Sequence, residues 1–413
     1  MERLAARRII DQIRSGVSSK EAAAALPFGR ESILEEIRSD LGKIASDGRP
    51  SHPYRVFLAD YGVGKTHMLQ SVWSLAEQAG FVVSHITISR EAPLGRPDRV
   101  YRKLMARTFL PGRHEAGIGP LLDDLARRPE ETGELLRFSE RELHPRLALV
   151  LEARLRAAGG RDDEVLDQDL AGYFPPLPEL RLAYRERFGT APKVERFRLA
   201  DHAFDYFRLL DRLVASGGCA GWVLLFDEFE MVGRLGRRAR AASYEFFRRV
   251  ALDRELPHAM SFWGVAASFK TETLEKRSEA ESLGVWLEAR GEKDEARQVR
   301  GVLELLSAQP ALPPLKEAQI AETFAAIGRL HGLAYGWQPP ETDLYREVRA
   351  LVPERDVKMR QLVRAAVQIL DLRLVHGEAA DLLVEEVQEA PLTPLDEEEP
   401  PEGEGVGRAW PDD

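Results

Sequence analysis

Apolar positions along the chain follow two rhythms. Short continuous runs at Tyr54–Ala59, Phe81–Ile88, Trp222–Phe226 and Ser261–Ala266 are bounded by polar, Gly or Pro residues and read as buried strands. Between them, apolar residues recur every three or four positions with charge in between, the pattern of helices with one buried face. Strands separated by long helical stretches predict an α/β architecture, a mostly parallel sheet covered on both faces. Ahead of the first strand, residues 1–26 pattern as two short helices. Pro27-Phe28-Gly29 breaks the rhythm before a third helix over Arg30–Ile44.

The spacing is uneven. About 130 residues, from Arg90 to Gly221, part the second and third strands, whereas a parallel crossover needs roughly a dozen. A helical insertion over about 112–198 accounts for the excess, with internal breaks at Gly159-Gly160 and at Tyr173-Phe174-Pro175-Pro176. Glu272–Gln309 is a second helical interruption, and helices resume after Pro313-Pro314. The predicted organisation is N-terminal helices over 1–28, a strand-bearing core over 29–314, a helical segment over 315–388 and a tail over 389–413.

Composition narrows the class. With 44% hydrophobic and 31% charged residues, the 413-residue chain has a soluble, globular balance, and no apolar stretch is long enough to cross a bilayer. The amphipathic start, MERLAARRIIDQIRSG, lacks the apolar centre of a secretory signal. Cys219 is the single cysteine, which excludes an internal disulfide framework and points to a reducing, cytoplasmic compartment. The net charge of −10 is a property of the tail. Residues 389–413 carry nine acidic residues and one Arg, so the body is near neutral and the tail is predicted to stay unstructured.

The chemistry begins where the first strand ends. Ala59-Asp60-Tyr61-Gly62-Val63-Gly64-Lys65-Thr66 follows a strand and opens an apolar helix at His67-Met68, the setting that a phosphate-binding loop requires. Its glycines let backbone N–H groups converge on phosphate, and the helix N-terminus adds partial positive charge. Lys65 reaches the β/γ-phosphates of ATP and Thr66 offers its hydroxyl to Mg²⁺. Ala59 stands where the first glycine is usual; alanine serves if φ stays negative. The third strand ends in Asp227-Glu228, at the carboxyl edge where ligands of parallel sheets sit. Asp227 is expected to hold Mg²⁺ through its water shell, and Glu228 to activate the attacking water. After the fourth strand, Ser268 is placed either to sit near the γ-phosphate or merely to cap the next helix.

These motifs resemble AAA+ ATPases, most nearly the replication-initiator branch. That resemblance implies an AAA+ P-loop NTPase fold with an all-α C-terminal lid. Gly29-Arg30-Glu31 resembles the segment lining the adenine pocket in that branch. The first arginine of the lid helix, Arg360 by position with Arg364 one turn on, corresponds to the residue that reaches the γ-phosphate. A narrower resemblance extends over most of the chain. Arg7–Val17, Ile88-Ser89-Arg90-Glu91-Ala92-Pro93-Leu94, Leu312-Pro313-Pro314-Leu315 and Ala334-Tyr335-Gly336-Trp337 are similar to the ATP-binding proteins of BREX phage-defence systems, the BrxC/BrxD type, and on size to BrxD. It implies a bacterial defence role beside a helicase or modification enzyme.

One further cluster has three readings. Arg234, Arg237, Arg238, Arg240, Arg248 and Arg249 fall within sixteen residues against a single Glu245. They form a solvated helix face, a DNA-phosphate patch, or the source of an arginine finger in a homo-oligomer, with Arg248 and Arg249 ahead of Arg254. Tyr244, Phe246 and Phe247 recur at helical spacing, which suits packing inward rather than stacking on bases. The sequence thus predicts an Mg-dependent ATPase acting on DNA or on a DNA-bound partner. The alternative is a non-motor ATP switch that recruits one.

Overall fold

All four apolar runs form strands: β1 (Tyr54–Ala59), β2 (Val82–Thr87), β4 (Trp222–Asp227) and β5 (Ala259–Ala266). A two-residue β3 (Thr108–Phe109) was not legible in the pattern. The computed structural model describes residues 2–377 apart from 17, 28, 47, 49, 61–63, 157–159, 161, 191, 193–196 and 353–358. Tyr61, Gly62 and Val63 of the expected phosphate loop, the end of the expected lid and the acidic tail lie outside the described residues.

The sheet order is β1-β5-β4-β2-β3, parallel throughout except for the antiparallel β2–β3 pair at one edge. Ala59 pairs with Ala266 and Thr87 with Asp227, so the carboxyl ends of the four long strands line one rim. At the other edge Ala311 bridges in parallel to Leu58, and Leu312 N–H donates to the Leu58 carbonyl at 2.7 Å. Prolines at 310 and 313 confine that pairing to an edge. The architecture is an α/β P-loop NTPase fold.

Burial on both faces explains the unbroken apolar runs. Helices Glu31–Ala45 and Lys65–Gln78 cover one face through Ile37, Leu41, Met68 and Val72. Helices Pro97–Met105, Leu199–Ser216 and Arg237–Phe247 cover the other through Tyr101, Phe207, Tyr244 and Phe246. Tyr244, Phe246 and Phe247 point inward. Between β3 and β4 the described chain forms helices Gly119–Leu125, Pro129–Glu142, Pro145–Arg156, Asp163–Leu170 and Leu177–Phe188 ahead of Leu199–Ser216. Arg154 is buried among these helices and is neutralised by Asp167 at 2.6 Å and Asp123 at 2.7 Å.

The C-terminal helices Glu317–Tyr335, Leu344–Leu351 and Met359–His376 share one hydrophobic cluster with the N-terminal helices Arg3–Arg14 and Lys20–Ala25. Ile9, Ile10 and Ile13 of the chain's start pack on Phe324, Ile327, Ala366 and Val367. Each buried isoleucine contributes roughly 1.5–3 kcal/mol to that junction. Polar contacts fix its register. Arg14 donates to both oxygens of Asp371 at 2.8 and 2.9 Å, His331 lies 3.0 Å from the same carboxylate, and Trp337 Nε1 donates to His331 Nδ1 at 2.9 Å.

Candidate functional site

The site lies on the rim of strand ends. β1 ends at Ala59, and the next helix is capped by Gly64, whose φ of +99° is in the left-handed region that favours glycine. Gly64 caps helix Lys65–Gln78, and its carbonyl accepts from Met68 N–H at 2.8 Å. The Lys65 side chain folds back, donating to the carbonyls of Ala59 at 3.1 Å and Asp60 at 3.4 Å. Thr66 Oγ1 donates to Asp227 Oδ2 at 2.8 Å. His67 follows in the first helical turn, half-buried, and its carbonyl accepts from Ser71 Oγ at 3.0 Å.

That threonine–aspartate bond crosses a whole strand, because β5 lies between β1 and β4. Adjacent strands sit about 4.8 Å apart, so β1 and β4 are roughly twice that distance from each other. Only a side chain on the helix opening over β5 can close the gap. Gly264 of β5 keeps it open: a Cβ there would lie 2.7 Å from Asp227 Oδ1. A glycine within an otherwise bulky strand is a sign of such close approach, and the sequence reading passed over it.

Asp227 is 4% exposed and both of its oxygens are engaged, Oδ2 by Thr66 and Oδ1 by Glu228 N–H at 3.0 Å. Glu228 itself adopts φ +62°, ψ +40°, a conformation uncommon outside glycine and concentrated at functional sites. Burial, then the carboxylates of Glu230 and Asp227, lift its carboxyl from the ordinary range to about 7, against the opposing charge of Lys65. A carboxyl poised near neutrality suits general-base work.

Glu230 is a neighbour the sequence reading missed. It is buried, and Oε2 accepts from Ala266 N–H at 2.9 Å, tying the segment after β4 to the end of β5. The Asp-Glu-Phe-Glu spacing was its only signal. His85 on β2 is likewise buried, and burial lowers its pKa despite the nearby Asp227 charge.

Of the other expected residues, Ser268 lies two positions beyond the rim end of β5, whereas Gly29 and Arg30 contact Gln319 and Pro313. Ser268 is exposed and precedes the helical segment Phe269–Glu275, with no side-chain capping bond. Arg30 is buried, and its Nη1 donates to the Pro313 carbonyl. Its Nη2 has no hydrogen-bond partner among the described residues, and burial lowers the guanidinium's pKa. Gly29 offers its carbonyl to Gln319 Nε2 at 2.9 Å. Arg360 is exposed beside Gly16, and Arg364 donates to the Arg14 carbonyl at 3.2 Å. Both therefore lie where the lid meets the N-terminal helices.

The arginine cluster is mostly neutralised within the chain, which counts against reading it as a phosphate patch. Arg238 pairs with Glu292 and Glu295, and Arg240 with Glu279. Arg248 pairs with Glu245 and Asp253, while Arg249 pairs with Glu255 and lies 3.5 Å over the Phe204 ring. Arg234 and Arg237 are exposed. Arg254 is exposed at φ +56° and has no ion pair among the described residues.

Among the described residues no group of three or more His, Cys, Asp or Glu could hold a metal ion. Mg²⁺ needs no such cage, since it keeps waters and takes one or two protein oxygens together with substrate phosphates. The part-buried Thr66–Asp227 oxygen pair at the head of a helix fits that requirement. No described helix is long and apolar enough to cross a membrane.

Comparison with known proteins adds the family. One solved structure with detectable similarity is the Walker-type ATPase PABY2304 of Pyrococcus abyssi. It is 13% identical, with 87% of this chain and 72% of that chain covered and a TM-score of 0.35. The curated proteins contain no match. The family profile described as BREX system ATP-binding protein BrxC/D matches residues 1–132 and 132–378. A match of that extent shows that the protein belongs to the BREX system ATP-binding protein BrxC/D family.

Proposed function

We propose that the protein hydrolyses Mg·ATP at the rim formed by β1, β5 and β4. It uses the free energy to act on DNA, or on a DNA-bound partner, in a bacterial anti-phage defence system. The observation that carries the hydrolytic reading is the 2.8 Å bond from Thr66 to Asp227, with Glu228 next in the chain. It unites the phosphate-loop helix and the carboxylate strand in one site.

The residues divide the work as follows. Backbone N–H groups of the loop ending at Gly64 take the phosphates, and Lys65 exchanges its carbonyl partners for β/γ-phosphate oxygens. Thr66 and Asp227 hold Mg²⁺, which when bound neutralises charge on the phosphates. Glu228 accepts the proton of a water whose oxygen bonds to the γ-phosphorus as the bond to the β-bridging oxygen breaks. Glu230 steadies the turn that carries Glu228. Ser268 and Arg360 are proposed to approach the γ-phosphate when the lid closes, and Gly29 and Arg30 to border the base.

Turnover is proposed to require a homo-oligomer in which a neighbour's arginine completes the site. Arg248 and Arg249 are held by carboxylates of their own chain, so the exposed Arg254 becomes the leading candidate for the finger. In GTPases such a residue is worth about 10³–10⁵ in rate. The BrxD-like and initiator-like assignments, and a helicase partner, belong to this proposal as well. The test of binding is thermal stabilisation. ATP at about a hundred times its Kd adds about 2.7 kcal/mol to the wild type, and Lys65→Ala abolishes the shift. An undiminished shift in that variant refutes the site.

A further inference from the structure

The insertion meets the core at a groove of about 470 Å³, remote from the phosphate loop in sequence and unused by the mechanism above. Helix Pro97–Met105 and its lead-in supply Arg96, Arg99, Arg102 and Lys103 to its walls, and Tyr173 closes it. Two carboxylates answer these four cations. Buried Asp98 takes Arg96 at 3.0 and 3.1 Å and lies 3.7 Å from Arg102, while exposed Glu91 accepts from Lys103 at 2.8 Å. Arg99 is exposed and makes no ion pair among the described residues. Positive charge is therefore left over here, unlike in the matched arginine cluster at 234–249.

Aromatic surface lies beside that charge. Tyr173 and Phe174 are 45% and 44% exposed. The Tyr173 hydroxyl donates to the Arg102 carbonyl at 3.3 Å, which holds the ring against the cationic helix. Phe174 packs edge-on to Phe197, with the Arg146 guanidinium 5.0 Å from its ring centre. Spare guanidinium groups recognise phosphates, and exposed rings recognise bases. A duplex keeps its bases stacked, so rings at a backbone-binding groove match a single strand.

We propose that this groove binds single-stranded nucleic acid, with Arg99 and Arg102 on phosphates and Tyr173 against a base. The proposal deepens the DNA-directed part of the function above and does not depend on ATP chemistry.

Its test is fluorescence anisotropy of the full chain without ATP, using short labelled oligothymidylate, an abasic oligonucleotide of equal length and polyglutamate over a range of salt. ATP turnover of each variant is recorded alongside. Losing two phosphate contacts flattens the slope of log affinity against log salt by about 1.4, a drop of about 25-fold near 0.1 M salt. Arg99→Ala/Arg102→Ala is expected to show that change on both oligonucleotides and to keep its turnover. Tyr173→Ala is expected to weaken oligothymidylate about five- to hundredfold with the slope unchanged, and to leave the abasic strand alone. Tyr173→Phe, which keeps the ring, is expected to bind as the wild type does. Wild-type binding that neither variant alters overturns the groove and leaves action on DNA standing. No oligonucleotide binding by the wild type at low salt overturns the groove and direct action on single-stranded DNA, and leaves the DNA-bound partner. Polyglutamate bound as tightly as DNA, and insensitive to Tyr173, overturns the proposal in favour of an acidic protein partner.

Discussion

Gly264→Ala is the smallest change that reaches the catalytic arrangement, since it adds one methyl group to a strand that touches no phosphate itself. The new Cβ would stand 2.7 Å from Asp227 Oδ1 and 3.3 Å from Leu69 Cδ1. Ordinary van der Waals contact begins about half an ångström or more beyond the first of these, so something must move. Neither side yields freely: Asp227 is pinned by Thr66 and by Glu228 N–H, and β5 is paired on both flanks. Overpacking of this kind costs about 1–3 kcal/mol of stability. An ångström-scale displacement of a catalytic group can cost about a hundredfold in rate. The expectation is a kcat lowered about 10- to 100-fold and a raised Mg²⁺ requirement. ATP binding falls less, because Lys65 and the loop are untouched. Turnover measured across a magnesium titration, beside nucleotide binding, reads both effects. Gly301→Ala is the control, as nothing lies within 4 Å of a Cβ there; it should be neutral or stabilising by about 0.4–1 kcal/mol. Wild-type turnover and wild-type magnesium dependence in Gly264→Ala would refute the placement of Asp227 at the metal.

The lid junction and the shared site give two more expectations. Burial works against ionised Asp371, but hydrogen bonds from His331 and Arg14 outweigh it and hold its carboxyl below the usual range. A depressed folded pKa stabilises above the unfolded value of about 3.9 and loses that contribution as pH falls through it. Asp371→Asn should therefore cost roughly 1–2 kcal/mol at neutral pH, with the gap to wild type closing below about pH 4 in denaturant titrations; a gap constant with pH contradicts the pairing. Arg254→Ala should bind ATP and turn over slowly, and should regain activity when mixed with Glu228→Gln, whereas Arg248→Ala should lose stability before rate. Concentration-independent turnover by a monomer would exclude a shared site.

Strand positions were legible because β1, β2, β4 and β5 are buried on both faces and so read as unbroken apolar runs. The pairings that were missed, β3 and the Leu58–Ala311 and Phe109–Ala116 bridges, are too short to carry any periodicity. Lys65, Thr66, Asp227 and Glu228 stood out because spacing within a motif is local information. Glu230 and Gly264 did not, since their roles depend on which strand lies between which, and topology is not written in spacing. The arginine cluster's long-range pairing was hidden for the same reason. Its neutralising partners Glu279, Glu292 and Glu295 lie between 39 and 57 residues further along the chain. The N-terminal helices read as a segment of their own, because nothing local announces that Ile10 will meet Ala366 and Val367.

Hydrolysis by Glu228 is tested most directly by phosphate release from Glu228→Gln under saturating Mg·ATP, with bound nucleotide counted in the same sample. The amide keeps the side chain's shape and removes the proton acceptor, so the variant should hold ATP intact at about one per site. Its turnover should fall at least about a hundredfold. Phosphate release at the wild-type rate, with ATP bound equally well, would contradict the assignment of Glu228 as the base.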